Sequence, residues 1–267
     1  KTQQNILAGI AFLATAGNRV LFAEAYPLGL ALLERLKALP GVVRAELCGS
    51  LRRRRETAKD LDLLLSSANP KPIMDAFVAF PEVVRVTGHG TTKSSVVAEL
   101  PLGAAKVTLN ADLRIVTDDQ FGVALLHFTG SAAHNIRLRQ RAIERGLSLN
   151  DYALTADGEE VRCKTEADVY AELGLKWVPP EMREDTGEIE LAEAGAVPTL
   201  IEAGDVRGVF HNHTTASDGK ATLAEMAAAA QALGWEYFGV GDHSQSLTVA
   251  NGLTPDRVRT QWAEADA

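Results

Sequence analysis

Two aspartates separated by one leucine open an apolar run, "DLDLLL" at residues 60–65, and ten residues before them Gly49–Ser50 closes another, "VVRAELC" at 42–48. Side chains alternate along a strand, so Asp60 and Asp62 share one face, about two residues' rise apart and close enough to share a cation. Two like charges that near one another call for counter-charge. Between the two runs, "LRRRRETAK" is expected to start as a short helix carrying the arginines. Gly49 lets backbone amides approach a ligand, Ser50 offers a hydroxyl, and the helix start presents its positive end to an anion. Arg53 can add a bidentate phosphate contact. The arginines would hold an anionic tail, and the aspartates the metals that bridge it to a reacting hydroxyl.

The rest of the chain is expected to alternate helices and strands. Residues 4–13 and 21–39 read as helices; in the second, Leu28, Leu32, Leu36 and Leu39 form one stripe, which Pro40–Gly41 ends. A further strand pair is expected at "SSVVAEL" and "KVTLNADLRIV". In the latter Val107, Leu109, Ala111, Leu113 and Ile115 alternate with Thr108, Asn110, Asp112 and Arg114. Asp112 thus lies on a polar face and can supply a third carboxylate to a site for two divalent ions. Residues 122–145 read as helix interrupted at Thr129–Gly130–Ser131, and a small mixed α/β segment runs from "LNDYAL" to about Pro180. "WVPPEMREDTGEIELAEAGAVP" reads as a linker with one short helix. From Arg207 a strand, a loop, an Ala-rich helix (222–233) and a second strand spell the opening of a parallel α/β unit. A chain of 267 residues, 46% of them hydrophobic, is long enough for more than one such unit.

The net charge of −8 conceals an asymmetry: residues 1–150 carry 19 Lys+Arg against 13 Asp+Glu, and the remainder 8 against 22. The first part therefore suits a polyanion although the whole chain does not. Arg137, Arg141 and Arg145 recur every four residues as a basic stripe, suited to phosphate contacts and equally to a solvated helix face. Cys48 and Cys163 lack metal-site spacing and read as buried small residues. There is no run of about 18 apolar residues and no charged-then-apolar leader, so a cytoplasmic protein without a membrane partner is expected.

"CGSLRRRRETAKDLDLLL", "ADLRIV" and "FGVALLHFTGSAAHN" together resemble the nucleotidyltransferase superfamily and, within it, the family X DNA polymerases. By that resemblance Asp60, Asp62 and Asp112 are catalytic ligands of Mg²⁺ or Mn²⁺. Gly49, Ser50 and Arg53 meet the triphosphate of an incoming dNTP, and Arg19 reaches the same tail. His127, Phe128, Thr129 and Gly130 pack against its sugar, Asn135 touches its base in the minor groove, and Arg139 faces the template. The family usually has Tyr where His127 stands, a departure that bears on sugar selectivity and not on nucleotidyl transfer.

A second constellation stands apart from the first. "FHNHTTASDG" puts His211 and His213 on one side of a strand end, Asp218 follows five residues later, and His243 closes the next strand. Such mixed N/O ligands suit Zn²⁺ or Mn²⁺. The set resembles the opening of a polymerase and histidinol phosphatase (PHP) domain, a metal-dependent phosphoesterase barrel found attached to bacterial family X polymerases.

The fold expected is an α+β nucleotidyltransferase palm with a helical fingers remnant and a small α/β thumb, followed by the opening βαβ of an α/β PHP barrel. The boundaries expected are 1–20 for the end of the fingers, 21–118 palm, 119–185 thumb, 186–205 linker and 206–267 the incomplete PHP part. The resemblance implies a monomeric DNA polymerase acting on gapped or primer-template DNA with dNTP, filling short gaps in repair. In the full protein the PHP part would be a phosphoesterase or 3′–5′ exonuclease, whereas residues 1–267 alone are expected to lack a complete nuclease site. Two rivals share the motifs: an untemplated nucleotidyltransferase, and a DNA-binding PHP phosphoesterase with an inactive polymerase core.

Overall fold

The computed structural model describes residues 19–103 and 105–266, in two compact units that divide after Pro198. The helix expected at 4–13, and most of the expected fingers segment, lie outside the described residues.

The first unit begins with β1 (Val20–Leu21), α1 (Phe22–Lys37), β2 (Arg44–Leu47), α2 (Gly49–Arg52), β3 (Thr57–Ala58) and β4 (Asp60–Ser66). It continues with α3 (Pro70–Phe77), β5 (Val83–His89), β6 (Lys93–Leu102) and β7 (Ala105–Val116). Leu28, Leu32 and Leu36, four residues apart, are fully buried, and this stripe lays α1 against β2, β6 and β7. Five strands form one sheet in the order β2-β4-β7-β6-β5, in which only β4 and β7 run parallel. Parallel neighbours need a crossover, which α3 and the β5–β6 hairpin supply. Along β7 the residues from Val107 to Ile115 alternate as expected: the apolar set enters the core, while Asn110, Asp112 and Arg114 are only partly buried.

Sequence pattern gave no sign of α3 or β5. Pro70 and Pro72 resemble loop residues, but in the first turn of a helix their missing N–H groups would have no intrahelical partner anyway. Ile73, Met74 and Phe77 then bury one face of α3.

The same unit goes on with α4 (Phe121–Thr129), α5 (Ala132–Glu144), β8 (Leu147–Leu149), β9 (Leu154–Ala156), β10 (Glu159–Val161), α6 (Glu166–Glu172) and α7 (Glu188–Glu193). Ser131 caps α5 by accepting from the His134 amide, and Thr165 with Asp168 forms a capping box on α6. β8, β9 and β10 make a small antiparallel sheet. Leu126, Leu138, Val169, Tyr170 and Leu173 share a second core with Ile189 and Ala192 of α7.

That last contact corrects the expected linker. Residues 177–198 are folded into the first unit: Arg183 is wholly buried, and Glu188 accepts from buried His134 at 2.6 Å. One turn carrying Ile189 and Ala192 is too short a stripe to stand out from acid-rich flanks. Of the expected linker 186–205, only the residues after Pro198 lie outside this unit.

The second unit holds β11 (Gly208–Asn212), α8 (Leu223–Ala232), β12 (Tyr237–Val240) and α9 (Pro255–Ala265). β11 and β12 pair in parallel with α8 between them in sequence, the strand–helix–strand order expected. Thr222 with Glu225 boxes the start of α8, and Thr254 caps α9. Among the described residues no helix is long and apolar enough to cross a membrane.

Candidate active site

β4 and β7 set the central geometry. In their parallel register Asp60 is the Cα partner of Asn110, and Asp62 that of Asp112. Asp62 and Asp112 are therefore lateral neighbours on one face, with Asp60 two residues along the same strand. Burial, then the like charges of Asp60 and Asp112, push the Asp62 carboxyl up to about 7, against the opposing pull of Lys93 and Arg53. Lys93 Nζ lies 2.7 Å from Asp112 Oδ2. The three carboxylates stand on two adjacent strands, although their oxygens do not all come within the 4.8 Å that brings His213, Asp218 and His243 together, and an all-oxygen set is the kind that suits Mg²⁺ or Mn²⁺.

Gly49 brings the next chemistry against them. It adopts φ +59°, and a Cβ there would stand 2.2 Å from Asp62 Oδ2, so any other residue would be strained and would press on Asp62. The Cys48 amide donates to the Asp62 carbonyl at 2.7 Å and ties this turn to β4. Cys48 and Cys163 are both buried free thiols, as read from sequence, and burial pushes their pKa up.

Asp60 and Asp62 open onto a cleft of 640 Å³. Gly49, Ser50 and Arg53 line it on the α2 side, together with Arg19 and Lys59. His127, Phe128, Thr129 and Gly130 line it from the end of α4, and Asn135 and Arg139 from α5. The expected nucleotide residues thus gather at one cleft, with Asp112 beside Asp62 on the neighbouring strand. The Asn135 amide donates to the His127 carbonyl at 2.8 Å, spanning the α4–α5 junction. Burial lowers the His127 pKa, with Arg139 and Arg114 adding to it against Asp151, so the ring is neutral near pH 7.

The arginines are more heavily paired than the sequence suggested. Arg53 donates through Nε to Glu184 at 2.8 Å and through Nη1 to the Thr129 carbonyl. Arg52 makes a bidentate pair with Glu166 at 2.7 and 2.8 Å, and buried Arg183 reaches the same carboxylate at 2.6 Å. Burial acts against ionised Glu166, yet Arg52 and Arg183 outweigh it and hold its pKa at about 2.

The stripe of Arg137, Arg141 and Arg145 is met by groups within the first unit. Arg137 pairs with Asp185 at 3.0 Å and with Glu190, while Arg141 pairs with Glu193 at 2.7 Å. Arg145 donates to the Glu172 carbonyl at 3.1 Å. These guanidiniums are taken up by residues 172–193, of which Glu190 and Glu193 fall in the expected linker. Arg139, on the cleft side, pairs with Asp151 at 2.7 Å.

In the second unit His213, Asp218 and His243 offer donor atoms that all lie within 4.8 Å of one another. The turn that joins them demands glycine: a Cβ on Gly219 would meet the His213 carbonyl at 1.9 Å. His213 Nδ1 is buried without a hydrogen bond although Asp218 Oδ1 is 3.2 Å away, and His243 Nε2 is 3.6 Å from Asp218 Oδ2. A buried, unbonded ring nitrogen beside a carboxylate and a second imidazole fits Zn²⁺ or Mn²⁺. His211 stays outside this group: its backbone takes φ +67° at an irregularity of β11, and its exposed ring lies 5.2 Å from that of His213.

Sequence reading missed Lys93, Asp151 and Asp242. Asp242 accepts from the Thr214 amide at 2.7 Å and from Ser217, Thr214 and Gln261 side chains, fixing the loop that carries Asp218. Its place beside His243 in "GDHS" was the available signal. Lys93 had none, since only the β6–β7 register sets it near Asp112.

Residues 124–184 match the DNA polymerase beta thumb family. The chain is 37% identical over its full length to the DNA polymerase/3′-5′ exonuclease PolX of Bacillus subtilis (strain 168), of which it covers 46%. It is 30% identical, over 51% of its length, to DNA polymerase lambda of Rattus norvegicus, of which it covers 28%. The chain thus spans less than half the length of these curated relatives.

Proposed function

This chain belongs to the family X DNA polymerases, and we propose that residues 21–118 and 119–185 are the palm and thumb of a DNA-directed DNA polymerase. It transfers a nucleotidyl group from a dNTP to a primer 3′-hydroxyl. The observation that carries this reading is the Asp62–Asp112 register, with Asp60 on the same face beside a cleft lined by Ser50 and Arg53.

Asp60, Asp62 and Asp112 would hold Mg²⁺ or Mn²⁺. Ions held there would supply a lowered pKa at the primer hydroxyl and charge neutralisation at the leaving pyrophosphate. Ser50 donates its hydroxyl to a phosphate oxygen. Arg53 keeps Nε and Nη1 on Glu184 and Thr129, which pre-orients its guanidinium and leaves Nη2 for the phosphate tail. Arg19 is fixed on Thr57 by bonds of 2.6 Å to Oγ1 and to the carbonyl, and adds charge to the same cleft. Phe128 is stacked under Arg114 at 4.6 Å and set edge-on to His127 at 4.9 Å, so neutral His127 and Phe128 form one wall for the sugar. The excess of cations in residues 1–150 supports DNA as partner, and short-gap filling in repair by a cytoplasmic monomer is the setting that the family suggests.

Single-nucleotide extension of a labelled primer on gapped DNA, with Mg²⁺ or Mn²⁺ and each dNTP separately, tests the reading. Addition of only the complementary nucleotide supports it. Addition regardless of template favours an untemplated transferase, and no addition overturns both.

A second function is favoured by the buried, unbonded Nδ1 of His213 beside Asp218 and His243: the second unit is part of a PHP-type phosphoesterase using Zn²⁺ or Mn²⁺. The relative from Bacillus subtilis carries 3′-5′ exonuclease in its name.

A further inference from the structure

Four cationic side chains line the cleft, and they differ in how their charge is met. Arg53 is paired with Glu184 at 2.8 Å and Arg139 with Asp151 at 2.7 Å. Arg19 is anchored on neutral groups of Thr57. Lys59 is exposed and forms no ion pair among the described residues, although it directly precedes Asp60. It lies between β3, which ends at Ala58, and β4, which begins at Asp60. Strand alternation therefore does not turn it away, and it lines the same cleft as Asp60 and Asp62.

We propose that Lys59, acting beside Arg19, is a phosphate-binding residue that grips the terminal phosphates of the incoming nucleotide and then the pyrophosphate product. This rests on the nucleotidyl-transfer reading above. For transfer, the reacting phosphorus must stand beside Asp60, Asp62 and Asp112, which leaves the far phosphates to the cations that line the same cleft. Two of those cations already have their charge balanced by a carboxylate. A mobile ammonium with no partner meets phosphate without first breaking an ion pair, and its charge is not cancelled locally. Arg19 and Lys59 flank Thr57–Ala58, so the bonds from Arg19 to Thr57 also steady the turn that presents Lys59.

The test uses the chain as it stands, with Lys59→Met and Lys59→Arg. Losing one charge-assisted phosphate contact is expected to raise KM for the complementary dNTP about tenfold with kcat within about twofold, and Arg is expected to restore most of it. Calorimetric titration with pyrophosphate and Mg²⁺ is expected to show a weakening of about tenfold for the Met variant, with unchanged affinity for gapped DNA. Pyrophosphate affinity within twofold of the unaltered chain would overturn the proposal, as would a loss confined to DNA affinity. If the unaltered chain incorporates no nucleotide, the nucleotidyl-transfer reading fails, and the pyrophosphate titration still decides the role of Lys59.

Discussion

Asp62 and Asp112 are Cα partners across the parallel β4–β7 ladder, and Lys93 reaches Asp112 Oδ2 at 2.7 Å. Two carboxylates on adjacent strands and a third along one of them raise the Asp62 carboxyl, with Lys93 and Arg53 pulling the other way. Everything else at the cleft is arranged around that pair.

Gly49→Ala is expected to damage this site from the neighbouring turn. With φ +59° and 2.2 Å from the new Cβ to Asp62 Oδ2, either the turn or Asp62 must move. Backbone strain of this kind costs about 1–3 kcal/mol, and a displaced Asp62 should lower the extension rate at least about tenfold. Chemical denaturation and single-turnover extension would measure the two effects separately.

Glu166 should contribute stability with a defined pH profile. Its folded-state pKa of about 2 lies below the ordinary 4.5, so the contribution is fully present above pH about 4.5 and is lost as pH falls through about 2. The shift corresponds to about 3 kcal/mol. Glu166→Gln, which leaves buried Arg183 without its carboxylate, should lower urea stability by about 3–5 kcal/mol at pH 7. The gap between the two proteins should narrow below pH about 4.5; a pH-independent gap would contradict the assignment.

Four of the five strands of the sheet, β2, β4, β6 and β7, and the face that carries the carboxylates were legible in the sequence because they rest on period-two alternation, whereas β5 was not. Asp60 and Asp62 against Leu61 and Leu63, and Asp112 against Leu113, assign faces without any knowledge of pairing. What alternation does not carry is the partner of a charged group. The same arginine at position 137 or 141 reads identically whether it faces solvent, phosphate or a glutamate far along the chain. The acid-rich segment holding Glu184, Glu190 and Glu193 resembles linker by composition, yet those acids pair with Arg53, Arg137 and Arg141. Lys93 and Asp242 act through register and loop closure, which one strand read alone does not disclose.

Because Arg137 and Arg141 are already paired, they should contribute little to DNA binding. The double variant Arg137→Gln/Arg141→Gln is expected to keep the salt dependence of its affinity for gapped DNA. Two lost phosphate contacts would instead lower the slope of log K against log salt by about 2.

His213→Ala should remove Zn²⁺ or Mn²⁺ binding from the second unit while leaving primer extension unchanged. Calorimetry with Zn²⁺ on the whole chain, beside an Asp60→Asn control that retains this binding, checks it. Equal Zn²⁺ affinity in the His213→Ala variant would contradict a site at His213, Asp218 and His243.

Single-turnover extension by Asp112→Asn on gapped DNA, with dNTP affinity measured in parallel, tests the account most directly. Asn keeps the size of the side chain and removes the charge beside Asp62. The expected result is a fall in the rate of nucleotidyl transfer of at least about a thousandfold with dNTP affinity nearly kept, since electrostatic stabilisation of the reacting oxygen is lost. Extension within tenfold of the unaltered chain would contradict the assignment of Asp60, Asp62 and Asp112 as the transferring centre.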